Sequence, residues 1–365
     1  MTSPGPTDPT DQRPTLAVVG ATGAVGQVVC EVLALREPLW GSVRLAAGDD
    51  EAGTVCRVAG QESVVEPLRP EFFDGVDVAI VDIPPRIAAE WVPLAAERGV
   101  VVIDNSPVFR LDPEVPLVVP EVNPRRVADR PRGIIANPGA TVMTMIDVLG
   151  VLHSGWELTE LVVTTFQSAS GLGRSGINRL YDEIELVAGD RRLGTRPGDV
   201  RRLIEHELGE SPFPGPLALN ILPFVGSHAA DGWTSEEVKV RDEVRKILDI
   251  PQLRVAVTCV RVPVVSTHSV SVHATFAREV DLDQARDALI QAPAVVLLDD
   301  PDGVEFPTPS DIVGADPRFA GRLRQTPDFP RSIEVFICGD NLRKGAALNM
   351  LQTAELVARE LTPAR

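Results

Sequence analysis

The sequence predicts an α/β protein of two domains: a parallel sheet covered on both faces, then an α+β domain with an antiparallel or mixed sheet. Three observations carry this. The apolar run Leu16-Ala-Val-Val19 is followed at once by Gly20-Ala-Thr-Gly23-Ala-Val-Gly26 and then by Gln27–Leu33, whose apolar spacing is helical. Further apolar runs, Val43–Ala47, Val76–Val81 and Val100–Ile103, alternate with a helical stretch, Ile87–Ala96. Strands that are apolar throughout belong to a sheet with no solvent face. From about Val162 the pattern changes to longer strands, including Arg254–Val265 and Ser269–Phe276, separated by helical segments.

Strand, glycine turn and helix in that order suit a dinucleotide pyrophosphate. The glycines permit a tight turn and close backbone approach, and the helix N-terminus offers free N–H groups and partial positive charge. The first domain therefore reads as Rossmann-type, with Gly20, Thr22, Gly23, Ala24, Val25 and Gly26 at the cofactor. A glycine-rich turn that binds nothing is the plainer alternative. Residues 1–13 read as a disordered lead-in, rich in Pro, Thr and Asp and without the basic and apolar regions of a secretion signal. The Rossmann domain is expected over 14–138 plus 345–365, where the last helix, Gly345–Glu360, returns to it. The substrate-binding and dimerisation domain is expected over 139–344.

Composition narrows the function class. A net charge of −17 over 365 residues opposes binding to nucleic acid or anionic membranes. No apolar run approaches the ~20 residues of a membrane span. Cys30, Cys56, Cys259 and Cys338 are scattered, with no CxxC pair and no histidine at ligand spacing, so no metal site is expected. They read as thiols of a reducing cytoplasm.

With these residues in view, the chain resembles the aspartate-semialdehyde dehydrogenase family from Leu16 to Glu360. The segments that carry the resemblance are Val18–Gly26, Val101–Ser106, Val115–Asn123, Cys259–Val264 and Asp340–Ala347. The family reduces β-aspartyl phosphate with NADPH through a cysteine thioester, and a histidine serves as acid and base. The resemblance implies that His268 is that histidine and that Gln167 lies beside the nucleophile. It also implies that Arg261 clamps a substrate carboxylate, that Glu236 and Lys239 hold amine and phosphate, and that Arg110 binds phosphate. Asn341 is implied at the cofactor. Taken singly, Lys239 and Glu236 read as no more than a charged helix face.

The departures from the family cluster at the chemistry. Ala140 stands at the position of the nucleophile, and Gly139 replaces an asparagine. Thr267 and Val270 replace the glycine and glutamate around the histidine, and Asp82-Ile-Pro-Pro85 replaces a small-residue turn. In Ala47–Gly53, Gly48 and Asp50 stand about where NADP-preferring members carry Ser and Arg, and Asp49, Asp50 and Glu51 are three consecutive acids. Asp50 can instead accept a hydrogen bond from a free ribose 2′-OH, so NAD is favoured over NADP.

Three functions follow as expectations: the family reaction, opposed by Ala140; a repurposed homodimeric enzyme acting on an aspartate-like acidic small molecule; and a non-catalytic paralogue that senses a ligand or pairs with an active member. The second is favoured.

Overall fold

The computed structural model describes residues 13–58, 60–300 and 302–362. The expected lead-in, apart from Arg13, lies outside these residues. The chain divides into two compact units, one over 1–139 and 346–365 and the other over 140–345.

The first unit contains β1 (Thr15–Val19), α1 (Ala24–Leu33), β2 (Ser42–Ala47), β3 (Val55–Val58), β4 (Gln61–Val64), β5 (Glu66–Pro67), β6 (Val78–Val81), α2 (Pro85–Glu97), β7 (Val101–Asp104) and β8 (Ile134–Ala136). Six of these strands form one sheet in the order β5-β2-β1-β6-β7-β8, and every pairing is parallel. The central strands are buried on both faces, which is why they read as unbroken apolar runs. The order steps outward from β1 in both directions, so the β1–α1 and β6–α2 loops open side by side at one sheet edge. In such sheets that crevice is where ligands bind.

The second unit begins with α3 (Ala140–Trp156) and continues through β9 (Leu158–Gln167), α4 (Gly173–Ala188), α5 (Asp199–Leu208), α6 (Ser235–Leu248), β10 (Arg254–Arg261), β11 (His268–Phe276), α7 (Leu282–Gln291), β12 (Val295–Leu297), α8 (Pro309–Ile312), β13 (Arg318–Arg324) and β14 (Ser332–Gly339). Its mixed sheet runs β10-β9-β11-β14-β13-β12. Helix α3 is apolar nearly all round and crosses this sheet as a core helix. The other face is open. Val162, on the second strand of the sheet, is 50% exposed, and Thr164, Phe166, Ser271, His273 and Phe336 around it are only half-buried.

One expected strand is shorter than its apolar run. Arg254–Val265 ends as β10 at Arg261, because Pro263 has no N–H for a ladder and the chain turns through Val264 and Val265 to reach β11. The segment expected to open the last helix is instead a π-helical turn, Arg343–Ala347, after which α9 (Leu348–Leu361) runs within the first unit. There Met350, Leu351, Ala354 and Val357 pack with Val29, Val78 and Ile103.

Candidate functional site

In the second unit, three strands end at the same place. Arg261 pairs with Gln167 in the parallel β9–β10 register, and His268 opens β11 beside them. The loop after β9 closes over these ends. Arg261 donates from Nη1 to the Ser168 carbonyl at 2.7 Å, and the Ser168 N–H donates to His268 Nδ1 at 3.2 Å. A Cβ on Gly171 would stand 2.6 Å from Arg261 Nη1 and 3.5 Å from His268 Cε1, so a larger residue there would displace the guanidinium. Gln167 is buried and donates to Thr165 Oγ1 at 3.3 Å.

Electrostatics then set the protonation. Burial, reinforced by the Arg261 charge, pushes His268 down to about 3, so the ring is neutral at ordinary pH. A backbone N–H can only donate, so Nδ1 must accept and the ring proton sits on Nε2. Burial also lowers Arg261, opposed by the nearby charge of Glu236. The guanidinium remains a cation.

Ala140 opens α3, at the end where unsatisfied N–H groups and the helix dipole favour negative charge. A Cβ on Gly345 would come within 3.3 Å of the Ala140 methyl, so glycine there keeps the space beside Ala140 clear. The next residue, Thr141, donates to Glu236 Oε1 at 2.8 Å. Glu236 lies in the first turn of α6 and also faces Lys239 at 3.7 Å. Ala140, Gln167, Arg261, His268, Glu236 and Lys239 thus all belong to the second unit; Arg110 belongs to the first, where Nη2 donates to the Asn105 carbonyl at 2.7 Å.

Asn341, expected at the cofactor, has its side chain engaged by the loop. Oδ1 accepts from Ser168 Oγ, Ser170 Oγ and the Thr267 N–H at 2.9–3.1 Å, and Nδ2 donates to Ser170 Oγ at 2.9 Å. Sequence reasoning missed Ser168 and Ser170; their only signal was a position within Gln167–Gly173, a segment quoted for its glutamine.

Thr267 is out of place in its own backbone. It is fully buried at φ +77°, in the left-handed region, and its Oγ1 has no hydrogen-bond partner among the described residues. A β-branched residue in that region is strained, by roughly 1–3 kcal/mol. A buried unsatisfied hydroxyl adds about 1–3 kcal/mol, whereas glycine would cost about 0.5–1 kcal/mol in unfolded-state entropy. We therefore expect Thr267→Gly to raise the unfolding free energy by about 1–2 kcal/mol once the lost side-chain packing is also set against the relief. Urea denaturation checks it: an unchanged or lower midpoint would mean that Thr267 sits there without strain.

In the first unit the glycine loop meets the steric demands of a pyrophosphate cradle. Gly20 has φ +88°, and a Cβ on it would lie 2.1 Å from the Asp82 carbonyl oxygen. A Cβ on Gly26 would lie 2.2 Å from the Gly20 carbonyl. Gly23 precedes α1 with no capping side chain, Thr22 lies in the turn, and Ala24 and Val25 open the helix. The short helical turn Asp49–Glu51 follows β2, with all three acids exposed. Arg69 reaches this turn and pairs with Asp49 at 2.7 Å, a cation the local sequence did not reveal. Arg44 is held elsewhere, by Glu66.

No spare activated thiol offers itself among the buried cysteines. Burial pushes Cys30 and Cys259 up to about 12 and Cys338 up to about 11. Among the described residues no cluster of three or more His, Cys, Asp or Glu could hold a metal, and no helix is long and apolar enough to cross a membrane.

Residues 15–130 match the family model "Semialdehyde dehydrogenase, NAD binding domain", and residues 149–344 match "Semialdehyde dehydrogenase, dimerisation domain". The chain is 42% identical to the aspartate-semialdehyde dehydrogenase of Streptomyces akiyoshiensis over 352 residues, covering 95% of this chain and 99% of that one. It is 40% identical to the enzyme of that name from Corynebacterium glutamicum over 359 residues, 94% of this chain and 99% of that one. The crystal structure of aspartate semialdehyde dehydrogenase II complexed with ASA from Vibrio cholerae superposes with a TM-score of 0.87 at 34% identity, covering 96% of this chain and 99% of that one.

Proposed function

The chain belongs to the aspartate-semialdehyde dehydrogenase family, and on that footing we propose that it keeps the family's acidic-ligand pocket while lacking the covalent thioester step. The observation that carries this is the methyl group of Ala140 at the N-terminus of α3, in the same unit as Gln167, Arg261, His268 and Glu236. The ligand is an aspartate-like acid. Arg261 offers a bidentate fork to a carboxylate, and Glu236 with Lys239 suits an amine and a second anion. His268 presents a fixed Nε2–H donor to an oxygen. The most economical role for the protein is an enzyme repurposed for such an acid.

A second reading is a non-catalytic paralogue that senses the acid or pairs with an active member. The burial of Cys259 and Cys338, which pushes both thiols far above neutral pH, favours it, since neither can stand in for the missing nucleophile. In either case the assembly we propose is a homodimer through the open sheet face around Val162, where half-exposed Phe166 and Phe336 leave an apolar surface on the domain matched as a dimerisation domain. The cytoplasm is its proposed compartment.

The first unit is an NAD(P)-binding domain of the family. A nicotinamide dinucleotide bound there would supply hydride chemistry. Gly20, Thr22, Gly23, Ala24, Val25 and Gly26 would hold it, with Asp50 at the ribose. We expect NAD to bind roughly tenfold more tightly than NADP, because Asp50 and Glu51 repel a 2′-phosphate by about 1 kcal/mol or more per close contact. Arg69 relieves only Asp49. Calorimetric titration with both cofactors tests this, and Asp50→Arg should shrink or reverse the preference. NADP binding as tight as NAD in the native protein would instead assign the 2′-phosphate to Arg69.

A further inference from the structure

Resting on the reading that a dinucleotide binds at Gly20–Gly26, we propose that Asp82 is a charge gate on that loop: its carboxylate stands against the start of α1, where it opposes a bound pyrophosphate and sets dinucleotide affinity.

The placement follows from the sheet. Strands β1 and β6 are parallel neighbours, and the Asp82 N–H donates to the Val19 carbonyl at 3.0 Å, so the chain leaving β6 runs beside the glycine turn leaving β1. Gly20 is packed against the Asp82 backbone, and Asp82 Oδ2 lies 4.0 Å from where a Cβ on Gly23 would stand. Gly23 precedes the free N–H groups of α1, the donors a phosphate would use. A carboxylate is therefore already beside the anion site.

It is also held there. Asn105 Nδ2 donates to Asp82 Oδ1 at 2.7 Å. Asn137 Nδ2 donates to Asn105 Oδ1 at 2.9 Å, and Asn349 Nδ2 donates to Asn137 Oδ1 at 2.7 Å. In this row every amide points its donor toward Asp82, so the dipoles reinforce one another and fix the side chain. The row thus holds the carboxylate toward the glycine turn.

The surrounding charges are few. Arg110 attracts the Asp82 carboxylate and Asp104 repels it, while the loop Gly20–Gly26 carries no titratable side chain. Burial outweighs Asn105 and Arg110 and holds the Asp82 carboxyl above the usual carboxylate range. An arriving pyrophosphate raises it further. Binding should then draw in a proton, and affinity should rise as pH falls, since only the ionised carboxylate opposes the ligand.

The test is a titration of the full chain with NADH, followed by nicotinamide fluorescence at pH 6 and pH 8, for the native protein, Asp82→Asn and Asp82→Ser. Circular dichroism confirms that each is folded. Calorimetry of the native protein in buffers of different ionisation enthalpy counts protons taken up. The gate requires at least tenfold tighter binding by both variants at pH 8, a smaller pH dependence than the native protein, and net proton uptake in the native protein alone. Equal affinities and equal pH profiles would overturn it while leaving the dinucleotide reading intact. Weaker binding by the variants would also overturn it, and would assign the carboxylate to a ribose hydroxyl. Absence of binding by all three proteins would remove the dinucleotide reading and the gate with it.

Discussion

Supplied with aspartate semialdehyde, phosphate and either NAD or NADP, the purified protein should turn over at least about 10⁴-fold below the ordinary range of ~1–10³ s⁻¹. The family reaction needs a group that attacks as a strong nucleophile and then leaves well, which a thiolate does and a methyl cannot. Each substitute within the second unit is disabled for a separate reason. The Thr141 hydroxyl donates to Glu236, but it would form an oxygen ester, which accepts hydride far less readily than a thioester and has a poorer leaving group. Ser168 touches His268 at 3.0 Å but is fully buried within its own loop. Cys259 and Cys338 are buried thiols pushed far above neutral pH. His268, neutral with its proton on Nε2, offers a donor where activation of a nucleophile needs an acceptor. The measurement is phosphate-dependent reduction of cofactor, read at 340 nm with enough enzyme to see about one turnover in ten hours. A rate within about tenfold of the ordinary range would defeat the proposal and require a nucleophile elsewhere.

Much of this was legible in the sequence, for identifiable reasons. The run Leu16–Val19, the glycines and the helix after them formed a local unit because turn, close approach and helix start are all short-range requirements. Gln167, Arg261 and His268 could be named one by one; that they converge follows from strand register, with Arg261 opposite Gln167 and β11 antiparallel to β9. Contacts between distant segments were not legible. The row Asn105, Asn137, Asn349 joins distant segments, its last two members being 212 positions apart, and no local pattern announces it. Arg69 reaches the acidic turn from beyond β5, so the turn looked barer of cations than it is. Asn341 could be named within Asp340–Ala347, but not that its amide braces the loop that holds His268. The Thr267 substitution was visible as a departure, but its strain appeared only with the left-handed backbone that glycine would have adopted freely.

Restoring the thiol should revive reactivity far more than turnover. Ala140→Cys places a sulfur at the first residue of α3, where the helix dipole and free N–H groups stabilise a thiolate and can bring its pKa below the free value of about 8.5. Gly345 leaves the adjacent space clear, so the sulfur should fit. We therefore expect iodoacetamide to label the introduced thiol faster than Cys30, Cys259 or Cys338 at pH 7, since those three are buried with raised pKa values. Turnover should nevertheless stay at or below about 1% of the ordinary range. Thr267 strains the residue next to the imidazole, and the neutral His268 still presents a donor rather than a base. A second change, Thr267→Gly, should then raise the rate of Ala140→Cys by about tenfold, as the effect of resetting the imidazole's position in the transition state and not of the stability gained. Labelling and turnover separate the possible outcomes. A slow thiol would mean that the N-terminus of α3 does not activate position 140. A fast thiol with full turnover from the single change would show that Thr267 and the other departures are neutral. A fast thiol whose turnover is indifferent to Thr267→Gly would move the remaining defect away from His268, toward the changed turn at Asp82 or the glycine at 139.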